Sequence, residues 1–227
     1  MRIKSIVLYA LLSITPAAAQ YQPKVQGELV EHSYYALDYN ERHEQANWVY
    51  YRLTPGMSSG DTKRTNNFKE DLCVSSGSAK LSDYVGSGYD RGHLCPAGDM
   101  NFSKEAMKES FMMSNMSPQL PSFNRGIWRM CEIYVRELGC DTLYVVTGGV
   151  FRDCDKPIGE SAVTVPGYYY KVAYHPGGER MWAFVIPNKG SSKSVEEFQT
   201  SVDHVEDITG IDFYHQLEDE LEARLER

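Results

Sequence analysis

Apolar positions along this chain change their spacing several times, and each change marks an element. Trp48-Val49-Tyr50-Tyr51-Arg52-Leu53 is an aromatic and β-branched run that stops at Pro55-Gly56, the pattern of a strand and a turn. Residues 61–87 are polar and loop-like. Tyr89 to Cys95 is a short extended piece that leads into a loop at Pro96-Ala97-Gly98. Ser103 caps a run of helix formers that predicts a short helix to about Phe111, and Pro118 and Pro121 then break the chain. From Asn124 to Leu138 the spacing turns helical: Ile127, Met130, Cys131, Tyr134, Val135 and Leu138 recur at intervals of three and four, and Gly139 closes the helix.

Beyond that helix, Thr142 to Thr147 is a run of strand formers ending at Gly148-Gly149. Tyr168 to Tyr174 stops at Pro176-Gly177-Gly178, and Met181 to Ile186 returns after a few turn residues, so the two predict an antiparallel hairpin. Ser194 with Glu197 at the third helical position predicts a helix to Thr209, ahead of Gly210. Leu217 to Arg227 reads as a charged amphipathic helix. Strands and helices mix without regular βαβ alternation, which points to an α+β domain with a largely antiparallel central sheet flanked by helices.

The first residues stand apart from this pattern. Arg2 and Lys4, an apolar run from Ile6 to Ile14 and Pro16-Ala17-Ala18-Ala19 have the form of a signal peptide, residues 1–19, cut before Gln20. The run is shorter than the roughly 20 residues a membrane span needs. No later segment reaches that length, so the expectation is an exported protein, periplasmic or extracellular, with no membrane partner and an oligomeric state left open. Residues 20–47 are polar and weakly patterned and read as an N-terminal extension, with the catalytic domain over residues 48–227.

Removing Arg2 and Lys4 from the 23 basic residues leaves 21 against 31 acidic ones, a net charge of −10. An acidic total argues against tight nucleic-acid binding by broad charge neutralisation, but an enzyme needs only a local basic cleft. Cys73, Cys95, Cys131, Cys140 and Cys154 would enter an oxidising compartment, so one or two disulfides and a leftover thiol are expected, with the pairing open. No CxxC pair supports a structural zinc site.

Candidate chemistry concentrates between Tyr89 and Glu132. Phosphodiester hydrolysis needs a base for water, positive charge for the phosphoryl oxygens and stabilisation of the leaving alkoxide. His93 suits the first task, since an ordinary imidazole is mostly neutral near pH 7. Arg91 and Arg64 suit the second, with forked, always charged guanidiniums. Asn124 and Glu132, eight apart on one helix, could face one hard cation, which takes oxygen ligands. Each residue also has a plain structural reading. Asn124 could be a helix cap, Glu132 a solvated helix position, His93 a hydrogen-bonded structural residue, and the arginines surface ion-pair partners.

Taken jointly, these residues resemble the DNA/RNA non-specific endonucleases, secreted sugar-non-specific nucleases with a ββα-metal (His-Me finger) site. The resemblance rests on Asp90-Arg91-Gly92-His93, on Met113-Ser114-Asn115-Met116-Ser117-Pro118-Gln119, and on Asn124 with Trp128 and Glu132. It continues through Val146-Thr147-Gly148-Gly149, Val165-Pro166 with Tyr170-Lys171-Val172, Ala183-Phe184 with Ile186-Pro187-Asn188, and Thr209-Gly210-Ile211-Asp212-Phe213. It implies that His93 is the general base and that Asn124 is the one direct protein ligand of a hydrated Mg²⁺, with Mn²⁺ or another divalent cation as substitutes. It further implies that Glu132 holds a water of that ion, that Asn115 orients His93 or the hydrated ion, and that Arg91 and Arg64 bind phosphate. The leaving 3′ oxygen would take its proton from a water of the ion, and DNA and RNA would be cut with little sequence preference to 5′-phosphate ends.

Two other readings stay open at this point. Cys95 lies two residues after His93 and Cys131 adjoins Glu132, so a zinc-dependent hydrolase built on His93, Cys95 and Cys131 is one. A non-catalytic secreted binding module on the same fold is the other. Asn101-Phe-Ser and Asn115-Met-Ser fit the glycosylation sequon, and Asn115 is expected to be unmodified.

Overall fold

The computed structural model describes residues 20–152 and 155–227. The expected signal peptide, residues 1–19, lies outside the described residues, as does Cys154. Eleven strands are described: β1 Glu28–Glu31, β2 Ala36–Asn40, β3 Gln45–Leu53, β4 Asp90–His93, β5 Met116–Gln119, β6 Leu143–Val150, β7 Pro157–Ile158, β8 Val163–Thr164, β9 Tyr168–His175, β10 Arg180–Pro187 and β11 Gln199–Thr200. The α-helices are α1 Lys104–Glu109, α2 Arg129–Arg136, α3 Val202–Thr209 and α4 Asp219–Leu225.

Seven strands form one sheet in the order β1-β2-β3-β6-β9-β10-β11, with every neighbouring pair antiparallel. The class is α+β, as the mixed pattern indicates. Because side chains alternate across a strand, the same strands supply two cores. Val49, Tyr51 and Leu53 of β3, Leu143 and Val145 of β6, and Trp182, Phe184 and Ile186 of β10 face one layer with Phe123, Ile127, Trp128, Cys131 and Val135. Trp48, Tyr50, Val146, Tyr170 and Val172 face the other, against Val202, Val205, Phe213 and Tyr214. The first layer carries the candidate site and the second carries α3 and α4.

Several expectations change in detail. Residues 20–47, read as an N-terminal extension, hold β1 and β2, which form the end of the main sheet, with Leu37 and Tyr39 in its core. β6 runs on through Gly148-Gly149 rather than stopping there. A Cβ on Gly148 would lie 2.3 Å from Asn47 O and 2.5 Å from Tyr170 Oη, so this glycine permits close strand packing.

The helix expected from Ser194 starts only at Val202, capped by Ser201. Glu197 does accept the Ser194 N–H at 2.8 Å, but a single turn follows. Gln199 and Thr200 then pair with the edge of β10 as β11, a tertiary pairing that overrides local helix preference. In the strong helix, Phe123–Trp128 forms a widened π turn, broken at Gly126, before α2 begins. That shift in phase leaves Met130 49% exposed, outside the face the spacing assigned to it.

Candidate active site

The site is built on a second, two-stranded ribbon, β4 with β5, followed in sequence by the π turn and α2. In the ribbon, Gly92 pairs with Ser117 and His93 with Met116. A Cβ on Gly92 would sit 2.1 Å from the side chain of Gln119, which is fully buried, so only glycine lets the two strands close here. The chain just after His93 is then clamped. Leu94 N donates to Asn115 O at 3.0 Å and Cys95 N donates to Asn115 Oδ1 at 2.8 Å. Asn115 Nδ2 donates in turn to Cys95 O and Ser110 O, each at 2.9 Å.

Two residues apart on one strand, Arg91 and His93 project from the same side. His93 is 6% exposed and meets the Phe111 ring edge-on at 4.8 Å. Phe68 lies 5.9 Å from the imidazole and 4.9 Å from Phe111. Each phenyl carries a guanidinium over its face, Arg91 over Phe68 at 4.4 Å and Arg64 over Phe111 at 4.9 Å. Polar loop 61–87 thus delivers Arg64 and Phe68 to the ribbon, anchored by Lys69 N to Phe111 O and Met113 N to Lys69 O. Burial, and after it the charge of Arg64, lowers the His93 pKa to about 3, so the ring is neutral across the working range. His93 Nε2 and Arg91 Nε are both buried without a hydrogen-bond partner.

Asn124 and Glu132 come from the helical segment. Asn124 Nδ2 donates to Asp90 Oδ2 at 2.9 Å, which ties it to the first residue of the strand that ends in His93. Asp90 is itself gripped by Arg125, at 2.8 Å from Nε and 2.6 Å from a terminal nitrogen. With Nδ2 committed, Oδ1 is the end of the Asn124 amide left to meet a cation. Glu132 lies 3.6 Å from Arg136, which pairs with Asp99, and Asp99 also accepts Tyr51 Oη–H at 3.0 Å. Burial pushes the Glu132 carboxyl up to about 7, opposed by the charges of Lys171, Arg136 and Arg64. Arg64 therefore acts on both His93 and Glu132, and the two belong to one electrostatic neighbourhood. Lys171, 1% exposed, donates to Thr147 Oγ1 at 2.6 Å and lies 5.0 Å from the Trp128 ring.

An amide oxygen and a carboxylate are hard donors, and the fit is to a hard divalent cation. A zinc centre on His93, Cys95 and Cys131 does not form. Both thiols are fully buried in the core, and burial holds Cys131 up to about 12 and Cys95 well above its ordinary value. Among the described residues, the close groups of three ligating side chains are His32/Asp71/Cys73 and Asp203/Glu206/Glu226, and neither includes His93. Cys73, Cys95, Cys131 and Cys140 are free thiols, so no disulfide joins the described cysteines.

Of the two posts expected for Asn115, beside His93 or at the hydrated ion, its contacts favour the first. It is fully buried and bonded to backbone, so it fixes the strand that carries His93, and it has no room for a glycan. Sequence reasoning passed over Asp90, Phe68, Phe111, Arg136 and Lys171 as contributors. Asp90, inside the DRGH block, Lys171, inside the Tyr170-Lys171-Val172 block, and Arg136, one turn after Glu132, had a sequence signal to offer.

Comparison with known proteins adds an independent line. A family model described as DNA/RNA non-specific endonuclease matches residues 15–220. Nuclease C1 of Cunninghamella echinulata var. echinulata is 34% identical over 217 residues, covering 86% of each chain. Human mitochondrial endonuclease G is 32% identical over 214 residues, covering 86% of this chain and 72% of its own. Mouse mitochondrial nuclease EXOG is 33% identical over 89% of this chain, which spans only 61% of that relative's length. In the solved crystal structure of the EndoG/EndoGI complex, one chain superposes with a TM-score of 0.78 at 29% identity, covering 85% of this chain and 88% of that one.

Proposed function

This chain belongs to the DNA/RNA non-specific endonuclease family and is a nuclease, and from that premise we propose that it is an exported, Mg²⁺-dependent endonuclease that hydrolyses DNA and RNA with little sequence preference. The observation that carries this reading is His93. Its ring is neutral, its Nε2 has no partner, and guanidiniums flank it on the two phenyl rings it packs against. Such an imidazole is held as a proton acceptor beside a place for phosphate.

In the proposed mechanism, His93 takes a proton from the attacking water. Arg91 and Arg64 bind the phosphoryl oxygens through their forked guanidiniums. Asn124 would hold the cation through Oδ1, kept in orientation by Asp90, and Glu132 would hold its hydration shell from the Arg136 side. A bound Mg²⁺ would neutralise phosphoryl charge and stabilise the leaving 3′ alkoxide, leaving 5′-phosphate ends. Contacts to phosphate carry no sequence information, which supports weak base preference. A pure binding module would need no neutral, unpartnered imidazole between two arginines.

The deciding experiment is degradation of plasmid DNA and of RNA by wild type and His93→Ala, with EDTA and with Mg²⁺ or Zn²⁺ added back. Expected is a loss of about 10²–10⁴-fold in the variant, no cleavage in EDTA, and recovery with Mg²⁺ but not with Zn²⁺ alone. Wild-type rates in folded His93→Ala would overturn the assignment. Export is tested separately, by whether the mature protein begins at Gln20.

A further inference from the structure

Negative charge gathers in a second place, on the opposite face of the sheet, where α3 meets α4. Asp203 and Glu206 lie one turn apart on α3, and Glu222 of α4 lies one turn before Glu226. One carboxylate oxygen from each of Asp203, Glu206 and Glu226 falls within 4.8 Å of the others. The group is fixed in place, with Asp203 N donating to Glu226 O at 3.2 Å, and Phe213 N donating to Glu206 Oε1 at 2.7 Å. Glu226 is 6% exposed, yet its Oε1 is buried with no hydrogen-bond partner, as is Glu222 Oε1.

Little positive charge answers this cluster. Lys24 acts on Glu206 and Glu222 only from a distance, since its ammonium is bonded to Asp212 at 2.6 Å, and His215 bears on Glu222. Burial, then the charges of Glu206, Glu222, Asp203 and Asp212, push the Glu226 carboxyl up to about 8. A desolvated carboxyl with a bare oxygen among other carboxylates takes up either a proton or a cation.

The donor set decides which cation. It is all oxygen, without the imidazole or thiolate that favours zinc. Ca²⁺ binds oxygens at about 2.3–2.6 Å, so ligands across the ion stand about 4.6–5.2 Å apart, whereas Mg²⁺ at about 2.0–2.1 Å demands a tighter, near-ideal octahedron. Three carboxylates drawn from two short helices, with their oxygens all within 4.8 Å of one another, form an irregular donor set, which the larger ion tolerates and Mg²⁺ does not.

We propose that Asp203, Glu206 and Glu226, with Glu222 beside them, form a Ca²⁺ site that clamps α4 onto α3, separate from the nuclease centre. With three or four carboxylates in an open, two-helix setting, affinity falls in the weak class of about 10⁻⁴–10⁻³ M.

The test is thermal unfolding of the full chain after EDTA treatment, in CaCl₂, MgCl₂ or KCl at matched ionic strength, with equilibrium dialysis of Ca²⁺ alongside. Wild type and Asn124→Ala are compared with Glu226→Gln and Asp203→Asn, so that an ion at the nuclease centre is counted separately. At ten times the dissociation constant, Ca²⁺ raises the midpoint by about 3–6 °C. One such ion per chain persists in Asn124→Ala, and both signals disappear in Glu226→Gln and Asp203→Asn. The proposal is overturned if KCl gives the same shift, if the shift survives in Glu226→Gln, or if Asn124→Ala abolishes it. It is equally overturned if Glu226→Gln is more stable than wild type while Ca²⁺ does nothing, which would mean a shared proton fills the cluster.

Discussion

At the scale of single residues, Asp90 is the side chain whose contribution the structure changes most. Its carboxylate accepts from Asn124 Nδ2 and is pinned by Arg125, so it decides which end of the Asn124 amide faces the proposed cation. Outer partners of metal ligands are worth about 10–100-fold in activity. Asp90→Ala is therefore expected to lower kcat by that factor, with unfolding little changed and a higher Mg²⁺ requirement in a metal titration. His93 makes a prediction about pH. A folded pKa near 3, against about 6.5 unfolded, means that the unfolded chain binds a proton the native chain refuses. The stability from this group is present above pH 6.5 and drains away as pH falls toward 3. Urea unfolding at pH 7 and pH 5 should show wild type losing about 2 kcal/mol more than His93→Gln.

At the scale of elements, the ribbon β4–β5 is held by Asn115 as much as by its own ladder. Four hydrogen bonds from one buried residue tie Leu94, Cys95 and Ser110 together behind His93. Asn115→Ala leaves backbone groups at Cys95 and Ser110 without partners, at about 1–3 kcal/mol each. The expected result is a lowered unfolding midpoint together with a loss of cleavage, while Mg²⁺ titration of the remaining activity is unchanged. A changed metal requirement instead would place Asn115 at the ion after all. Elements also show where local pattern stops being decisive. Ser194 and Glu197 hold the expected capping contact, yet the strand edge of β10 captures Gln199 and Thr200. Spacing alone put Met130 inward, but the π turn at 123–128 rotates α2 and exposes it.

At the scale of the whole molecule, the chain carries a net charge of −8, yet its proposed phosphate contacts are two arginines at one place. Substrate binding should then weaken only mildly with salt, with a log–log slope of about −2 where an extensively basic binder shows far steeper dependence. Fluorescence anisotropy with a short duplex and inactive His93→Ala checks this. A slope of −6 or steeper would mean that a basic surface not described by Arg64 and Arg91 carries the binding.

Sequence by itself determined the strand runs at 48–53, 168–174 and 181–186, the short helix after Ser103 and the residues able to do phosphodiester chemistry, because alternation, caps and side-chain chemistry are local properties. It could not determine that residues 28–40 join the sheet, since a weak pattern becomes a strand only when a neighbouring edge offers hydrogen bonds. Nor could it place Phe68 and Phe111 around His93, or bury Cys95 and Cys131 away from any ion. Those outcomes depend on contacts between segments distant in sequence. Tertiary packing settled them, by removing water from the imidazole and both thiols and leaving neutral the ring that local pattern could only nominate.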